Sequence, residues 1–182
     1  MGDPRHPALI GHARRPAAQP HPEQVSASVD PTHRRIPTVP ALTYVVDAGR
    51  VEAGVSVAWT RGAEIRIETA VDLADDLFGP AELLGGAFAA CLLKNVERFS
   101  RILPFRYAGA SVRVTLEREQ RPPRISRIRY EIRLVTDEPP HRVKLLERNL
   151  VQFGTIYNTL SRACDVSGEV VVEAAPRGDI DQ

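Results

Sequence analysis

Gly79-Pro80-Ala81-Glu82-Leu83-Leu84-Gly85-Gly86-Ala87-Phe88-Ala89-Ala90-Cys91-Leu92-Leu93-Lys94-Asn95-Val96 reads as a helix around which the rest of the chain is organised. Gly79 opens it and Pro80 takes the first helical position, where its missing N–H leaves nothing unpaired. Glu82 falls in the first turn, where the positive end of the helix dipole favours a carboxylate. Beyond Glu82 the stretch is apolar almost all round, the pattern of a helix buried on most sides. Two adjacent glycines inside a helix cost about 1 kcal/mol each against alanine. Gly85, Gly86, Ala89 and Ala90 suggest a reason, because small residues at this spacing let a second helix come close. Cys91 lies deep in the segment, directly after these small residues.

The chain has 182 residues, enough for one domain with a tail. Its apolar fraction of 43% and charged fraction of 26% are those of an ordinary globular protein. A net charge of +1 points neither to nucleic acid nor to a membrane surface. Two cysteines are too few for a secreted disulfide framework. No stretch reaches the roughly 20 apolar residues of a membrane span, and the N-terminus lacks the apolar core of a signal peptide, so a cytoplasmic setting is expected.

Residues 1–40 are rich in Pro, His, Arg and Ala without apolar periodicity, and read as a disordered tail. The spacings of His6, His12, His21 and His33 match no metal-ligand motif. A folded domain is expected over 41–175, with 176–182 as a second tail. Leu42 to Val46 is β-rich. Val55, Val57 and Trp59 alternate with small residues, Arg61-Gly62 turns the chain, and Ile65 and Ile67 alternate with charges. This predicts a hairpin with one face in the core and one in water. After the opening helix, which fades near Pro104, two more alternating strands run through Val112–Leu116 and Ile128–Leu134. Their outward arginines make a mildly basic face, interrupted by Glu117 and Glu131 and without the aromatics that stack on bases. Val143, Leu146, Leu150, Phe153, Tyr157, Leu160 and Cys164 then form one apolar seam, predicting a second long helix ending at Cys164. A short strand over Glu169 to Glu173 closes an α+β order in which two apolar helices must be covered by sheet.

Cys91 and Cys164 each lie on the apolar side of a separate helix. Two inert core thiols are one reading, since free cysteine often packs as a small hydrophobe. Reactive thiols are the other. Lys94 at i+3 and Arg98 at i+7 share a side with Cys91, and a cation there favours a thiolate. Lys94 equally suits a solvated helix end. His141 is the only histidine outside the tail, which disfavours both a metal centre and a Ser-His-Asp site.

Pro80-Ala81-Glu82-Leu83-Leu84, followed by Ala87-Phe88-Ala89-Ala90-Cys91, resembles the helix of the OsmC/Ohr family of thiol peroxidases. Ala163-Cys164-Asp165-Val166-Ser167 is similar to that family's second cysteine motif, and the resemblance covers roughly Tyr44 to Ala174. It implies an OsmC-like fold, with two long central helices covered by antiparallel sheets in an intertwined homodimer whose active sites lie between subunits. It also implies a chemistry. Cys91 as thiolate attacks an organic hydroperoxide and becomes a sulfenic acid. Cys164 closes a disulfide, and a dithiol reductant reopens it. No metal, flavin or haem is implied as cofactor.

Glu82 matches the family's glutamate, as a site carboxylate or as a helix-start charge. The arginine that polarises the peroxide has three candidates, Arg50, Arg61 and Arg66. Arg66 is preferred because it sits on a strand leading towards the helix. Ala81 stands where hydroperoxidase members often carry a carboxylate, and Asp165 replaces a proline beside the second cysteine, where its charge disfavours a thiolate. These departures motivate an alternative, a non-catalytic OsmC-like protein that binds a small apolar ligand at the dimer interface.

Overall fold

The structure, a computed structural model, describes residues 41–71 and 76–174. The expected tails over 1–40 and 176–182 lie outside the described residues, as does part of the loop between Asp72 and Gly79. The compact unit that carries the cysteines begins at Tyr44.

Three strands come first: β1 (Asp47–Glu52), β2 (Val55–Thr60) and β3 (Ala63–Glu68), paired antiparallel in the order β1-β2-β3. The β-rich run Leu42 to Val46 is not a strand. β2 ends at Thr60, where Arg61 takes a positive φ of 54° and turns the chain, so residues before Asp47 have no strand to pair with. The Thr60 hydroxyl reaches back, donating to the Val45 carbonyl at 2.7 Å.

The expected division of this hairpin into a core face and a water face does not hold. The two-residue turn fixes Thr60 opposite Ala63, and with it Val57 opposite Arg66 and Trp59 opposite Glu64. Residues directly opposite share a face. Val57 and Trp59 therefore lie on one face, while Ile65 and Ile67, opposite Ala58 and Ser56, lie on the other. A slip of one residue would have brought the two sets together, but the turn sets the register. The sheet thus carries apolar groups on both faces, with Trp59 45% and Ile65 40% exposed. A parallel bridge from Ile67 to Phe78, with Glu68 N–H donating to the Phe78 carbonyl at 3.0 Å, ties it to the entrance of the first helix.

Helix α1 (Pro80–Ile102) forms as expected, with Pro80 in its first turn. It buries Phe88, Leu92, Val96 and Phe99 against the second sheet and the following helices. Each such side chain contributes about 1.5–3 kcal/mol. Among the described residues, the two adjacent glycines meet no second helix. Gly85 faces a strand instead, where a Cβ would stand 2.8 Å from Leu116 Cδ1, and Gly86 is exposed with nothing near it.

The second sheet has the order β4 (Gly109–Gln120), β5 (Pro123–Val135), β6 (Asp165–Glu173). β4 and β5 are antiparallel, but β6 runs parallel to β5. The helical segment between β5 and β6 brings the chain back to start β6 at the same end, as a crossover requires. The sheet is therefore mixed, and β6 is longer than the Glu169–Glu173 run. Ile128, Tyr130, Ile132 and Leu134 fill the inner face. On the outer face two of the arginines are tied to carboxylates on both sides. Arg127 pairs with Glu117 and Asp165, each at 3.2 Å, and Arg133 pairs with Glu131 at 2.7 Å and Glu173 at 3.2 Å.

The second long helix is broken. Helix α2 (Pro140–Phe153) and helix α3 (Thr155–Leu160) are separated by Gly154, whose ψ of 105° is extended rather than helical. Cys164 lies beyond α3, in the turn before β6, so the apolar seam continues through a change of direction. Val143, Leu146 and Leu150 of α2 are buried, Phe153 stacks on Phe99 at 5.5 Å, and Tyr157 of α3 reaches Phe88 at 6.2 Å.

Candidate active site

Cys91 is half-buried on the wall of a cavity of about 870 Å³. α1 supplies Ala87, Ala90, Cys91, Lys94, Asn95, Arg98 and Ile102, at spacings that keep one side of a helix together. Phe153, Thr155 and Ile156, which flank the break at Gly154, supply the facing wall. The bend that interrupts the second helix therefore helps to frame the space beside Cys91.

Four charged side chains border this cavity. Glu97 is engaged by Arg101, whose Nε donates at 2.9 Å, and by the Tyr107 hydroxyl at 2.7 Å. These hydrogen bonds, Tyr107's first, hold the Glu97 carboxyl below the usual carboxylate range. The same bond to Glu97 raises the Tyr107 phenol. Among the described residues no carboxylate pairs with Lys94 or Arg98, and the Arg98 guanidinium lies 5.5 Å from the centre of the Phe99 ring. Two cations without a carboxylate partner among the described residues thus share the cavity with Cys91, on the side where the helical spacing put them.

Asn95 belongs to no motif that the sequence offers. It is only 7% exposed, and its Nδ2 is buried without a hydrogen-bond partner among the described residues. A Cβ on Gly154 would lie 3.5 Å from that nitrogen. Burying an amide donor unpaired costs about 1–3 kcal/mol. A signal was present: Asn95 interrupts the otherwise apolar stripe of Phe88, Leu92, Val96 and Phe99.

The other expected site residues lie elsewhere in the chain. Glu82 precedes Cys91 by nine positions, which is two and a half helical turns, so the two occupy opposite sides of α1. Glu82 borders a separate groove with Ala81, Gly85, Gly86 and Ala89 against β4. A Cβ on Gly79 would lie 2.8 Å from Glu82 Oε2 and 3.5 Å from Glu68 Oε2, so both carboxylates reach the start of the helix. Arg66 donates to Glu52 at 2.8 Å across the first sheet, Arg61 forms the β2–β3 turn, and Arg50 is exposed on β1. None of the three lines the Cys91 cavity.

Cys164 packs with Tyr157, Leu160 and Val166 against the core, and its thiol donates to the Leu160 carbonyl at 3.4 Å. Burial, and then the adjacent Asp165 charge, push this thiol above its ordinary range. Both cysteines are free. Among the described residues no group of His, Cys, Asp or Glu is arranged to hold a metal ion, and no helix is long and apolar enough to cross a membrane.

Solved structures share this architecture. An OsmC-like protein from Mycoplasma pneumoniae is 17% identical with a TM-score of 0.66, covering 74% of this chain and 98% of its own. The organic hydroperoxide resistance protein OhrB of Bacillus subtilis is 16% identical with a TM-score of 0.55, covering 71% and 98%. An organic hydroperoxide resistance protein OsmC from Legionella pneumophila is 13% identical with a TM-score of 0.60, covering 72% and 100%. At these identities the likeness is one of fold. No curated protein sequence matches the chain. Residues 73–169, from before α1 into β6, match the family described as OsmC-like protein, and the chain belongs to that family.

Proposed function

We propose that the chain is a thiol-dependent peroxidase that reduces organic hydroperoxides, with Cys91 as the attacking thiolate. The observation that carries this reading is the position of Cys91 on a largely apolar cavity that also holds Lys94 and Arg98, neither paired with a carboxylate among the described residues. Apolar walls suit the organic body of the peroxide. The cations suit the negative charge that builds on the departing oxygen. The thiolate attacks the terminal peroxide oxygen, the O–O bond breaks, and the organic part leaves as an alkoxide that takes up a proton to become an alcohol. Sulfur keeps the transferred oxygen as sulfenic acid. Cys164 condenses with the sulfenic acid, releasing water and forming a disulfide. An external dithiol then restores both thiols and is itself oxidised to a disulfide. None of these three steps calls for a metal, flavin or haem, and the cytoplasm is the compartment that keeps such reductants reduced.

The working unit in this reading is a homodimer. Glu82 and Cys91 of one chain face opposite ways, and Arg66 lies on the first sheet, so a site that uses all three with Cys164 has to be assembled between copies. The apolar groups on both faces of β1–β3 support a second chain covering that sheet.

A second reading has one observation in its favour. Arg66 is committed to Glu52, and Ala87, Ala90, Ile102, Phe153 and Ile156 form a lining suited to a small apolar ligand that is held but not reduced. Treating the reduced protein with cumene hydroperoxide separates the two. A peroxidase consumes both thiols, forms an intramolecular disulfide and loses turnover in Cys91→Ser. Full turnover in that variant would overturn the peroxidase. Thiols no faster than free cysteine, with a co-purifying hydrophobic molecule, would establish the binder.

A further inference from the structure

Tyr44 joins the wall of the Cys91 cavity from a part of the chain far from the helices that form the rest of it. It stands three residues before β1, in a run that pairs with no strand among the described residues. The bond from the Thr60 hydroxyl to the Val45 carbonyl, at 2.7 Å, tethers the backbone one residue further on. The Tyr44 ring is 76% exposed although it borders a cavity, so it lies at the rim with apolar surface still to bury. Phe153 brings a second ring to the same cavity, and this one is backed by Phe99 at 5.5 Å. Along α1 the lining runs from Ala87 to Ile102, about 22 Å at 1.5 Å per residue. In a cavity of about 870 Å³ a tert-butyl group leaves most of the wall untouched, whereas a flat aromatic group covers more of it.

We propose that Tyr44 is a specificity-determining residue of the Cys91 site, selecting hydroperoxides whose organic body is aromatic. The assignment rests on the peroxidase reading of the cavity. The substrate ring packs on Tyr44 offset or edge-on, the arrangements aromatic pairs prefer, with centres about 4.5–7 Å apart. Such a contact is made equally before and during the attack of sulfur on oxygen. It therefore lowers KM for an aryl substrate and leaves kcat as it is. The Tyr44 hydroxyl stays in water at the rim, which suits a ring with one apolar and one wet end. Residues 44–46 belong to no strand, so the ring can follow the substrate inward without breaking a sheet hydrogen bond.

The test reads a ratio, kcat/KM for cumene hydroperoxide over kcat/KM for tert-butyl hydroperoxide. Tyr44→Ala should lower that ratio about three- to tenfold, through the KM for cumene hydroperoxide. Tyr44→Phe, which keeps the ring, should restore it. An unchanged ratio in Tyr44→Ala overturns the proposal. An equal fall for both substrates also overturns it, since that marks a structural role, and so does a loss as large in Tyr44→Phe. Calorimetric binding of cumyl alcohol, the product, to Cys91→Ser measures the same contact without turnover. Adding Tyr44→Ala to that protein should weaken binding by a similar factor, and equal binding, or none in either, overturns the assignment. Turnover surviving in Cys91→Ser defeats the peroxidase reading itself, while the cumyl alcohol comparison still decides the role of Tyr44.

Discussion

Gly168 of β6 stands opposite Tyr130 of β5, so close that a Cβ on Gly168 would meet the Tyr130 ring at 2.5 Å and its carbonyl oxygen at 2.2 Å. Tyr130 occupies the space a β6 side chain would take, and its ring meets Phe88 edge-on at 5.6 Å. Burial pushes the Tyr130 phenol up to about 12. Gly168→Ala therefore presses on backbone as well as ring, and neither can swing aside. A loss of about 1–3 kcal/mol is expected from overpacking, read as a lower urea midpoint. An unchanged midpoint would show that the β5–β6 pair has slack.

Phe88 is fully buried and joins α1 to Tyr130 of the second sheet and to Tyr157 of α3. Phe88→Ala should cost about 3–5 kcal/mol, measured by chemical denaturation. A change under about 1 kcal/mol would mean that this three-way contact is not where α1 is held.

Cys164 has its thiol raised in the folded state, first by burial and then by Asp165. Because the folded form holds the proton more tightly than the unfolded chain, the associated stability is complete below the ordinary thiol range. It is lost as pH rises through the raised value. Cys164→Ser should therefore flatten the alkaline limb of a Tm-against-pH curve above about pH 8.5. Identical limbs in the two proteins would contradict this.

Lys94 and Arg98 place positive potential beside Cys91. Anionic iodoacetate should gain on neutral iodoacetamide at this thiol, and the ratio of their rates should fall about two- to fivefold in Lys94→Gln/Arg98→Gln. The same ratio should fall with added salt, because exposed charges are screened within about 10 Å at 0.1 M. A salt-independent ratio would place the cations too far away to matter.

If a second copy covers β1–β3, sedimentation should report twice the 20.1 kDa chain mass. Ile65→Glu, which puts a charge among the exposed apolar groups of one face, should shift the protein towards the single-chain mass. A parent protein that sediments at the single-chain mass would remove the dimer.

Much of this was legible in the sequence. Pro80 and Glu82 marked the start of α1 and Pro104 its end, and alternation placed β2 to β5, because these signals are local. The two faces of the β2–β3 hairpin do not follow from alternation, because register depends on the Arg61-Gly62 turn rather than on either strand's pattern. The break at Gly154 was hidden, since Phe153, Tyr157 and Leu160 keep helical spacing through it. In the site, Lys94 and Arg98 followed from spacing along one helix. Asn95 acquires meaning only once Gly154 is seen beside it, from a segment far along the chain. Within one chain Glu82 and Arg66 lie apart from the Cys91 cavity, which a motif cannot show because it gives order along the chain and not the side of the helix on which a residue emerges.

Trp59 is the chain's single tryptophan, and its ring lies over Gly49, where a Cβ would be 3.3 Å from it. Indole emission is thus a private signal from the first sheet, while circular dichroism follows the helices. Loosening or covering of that sheet would register as a colour shift in the fluorescence before α1 loses a turn, so one cuvette can tell the two halves of the molecule apart.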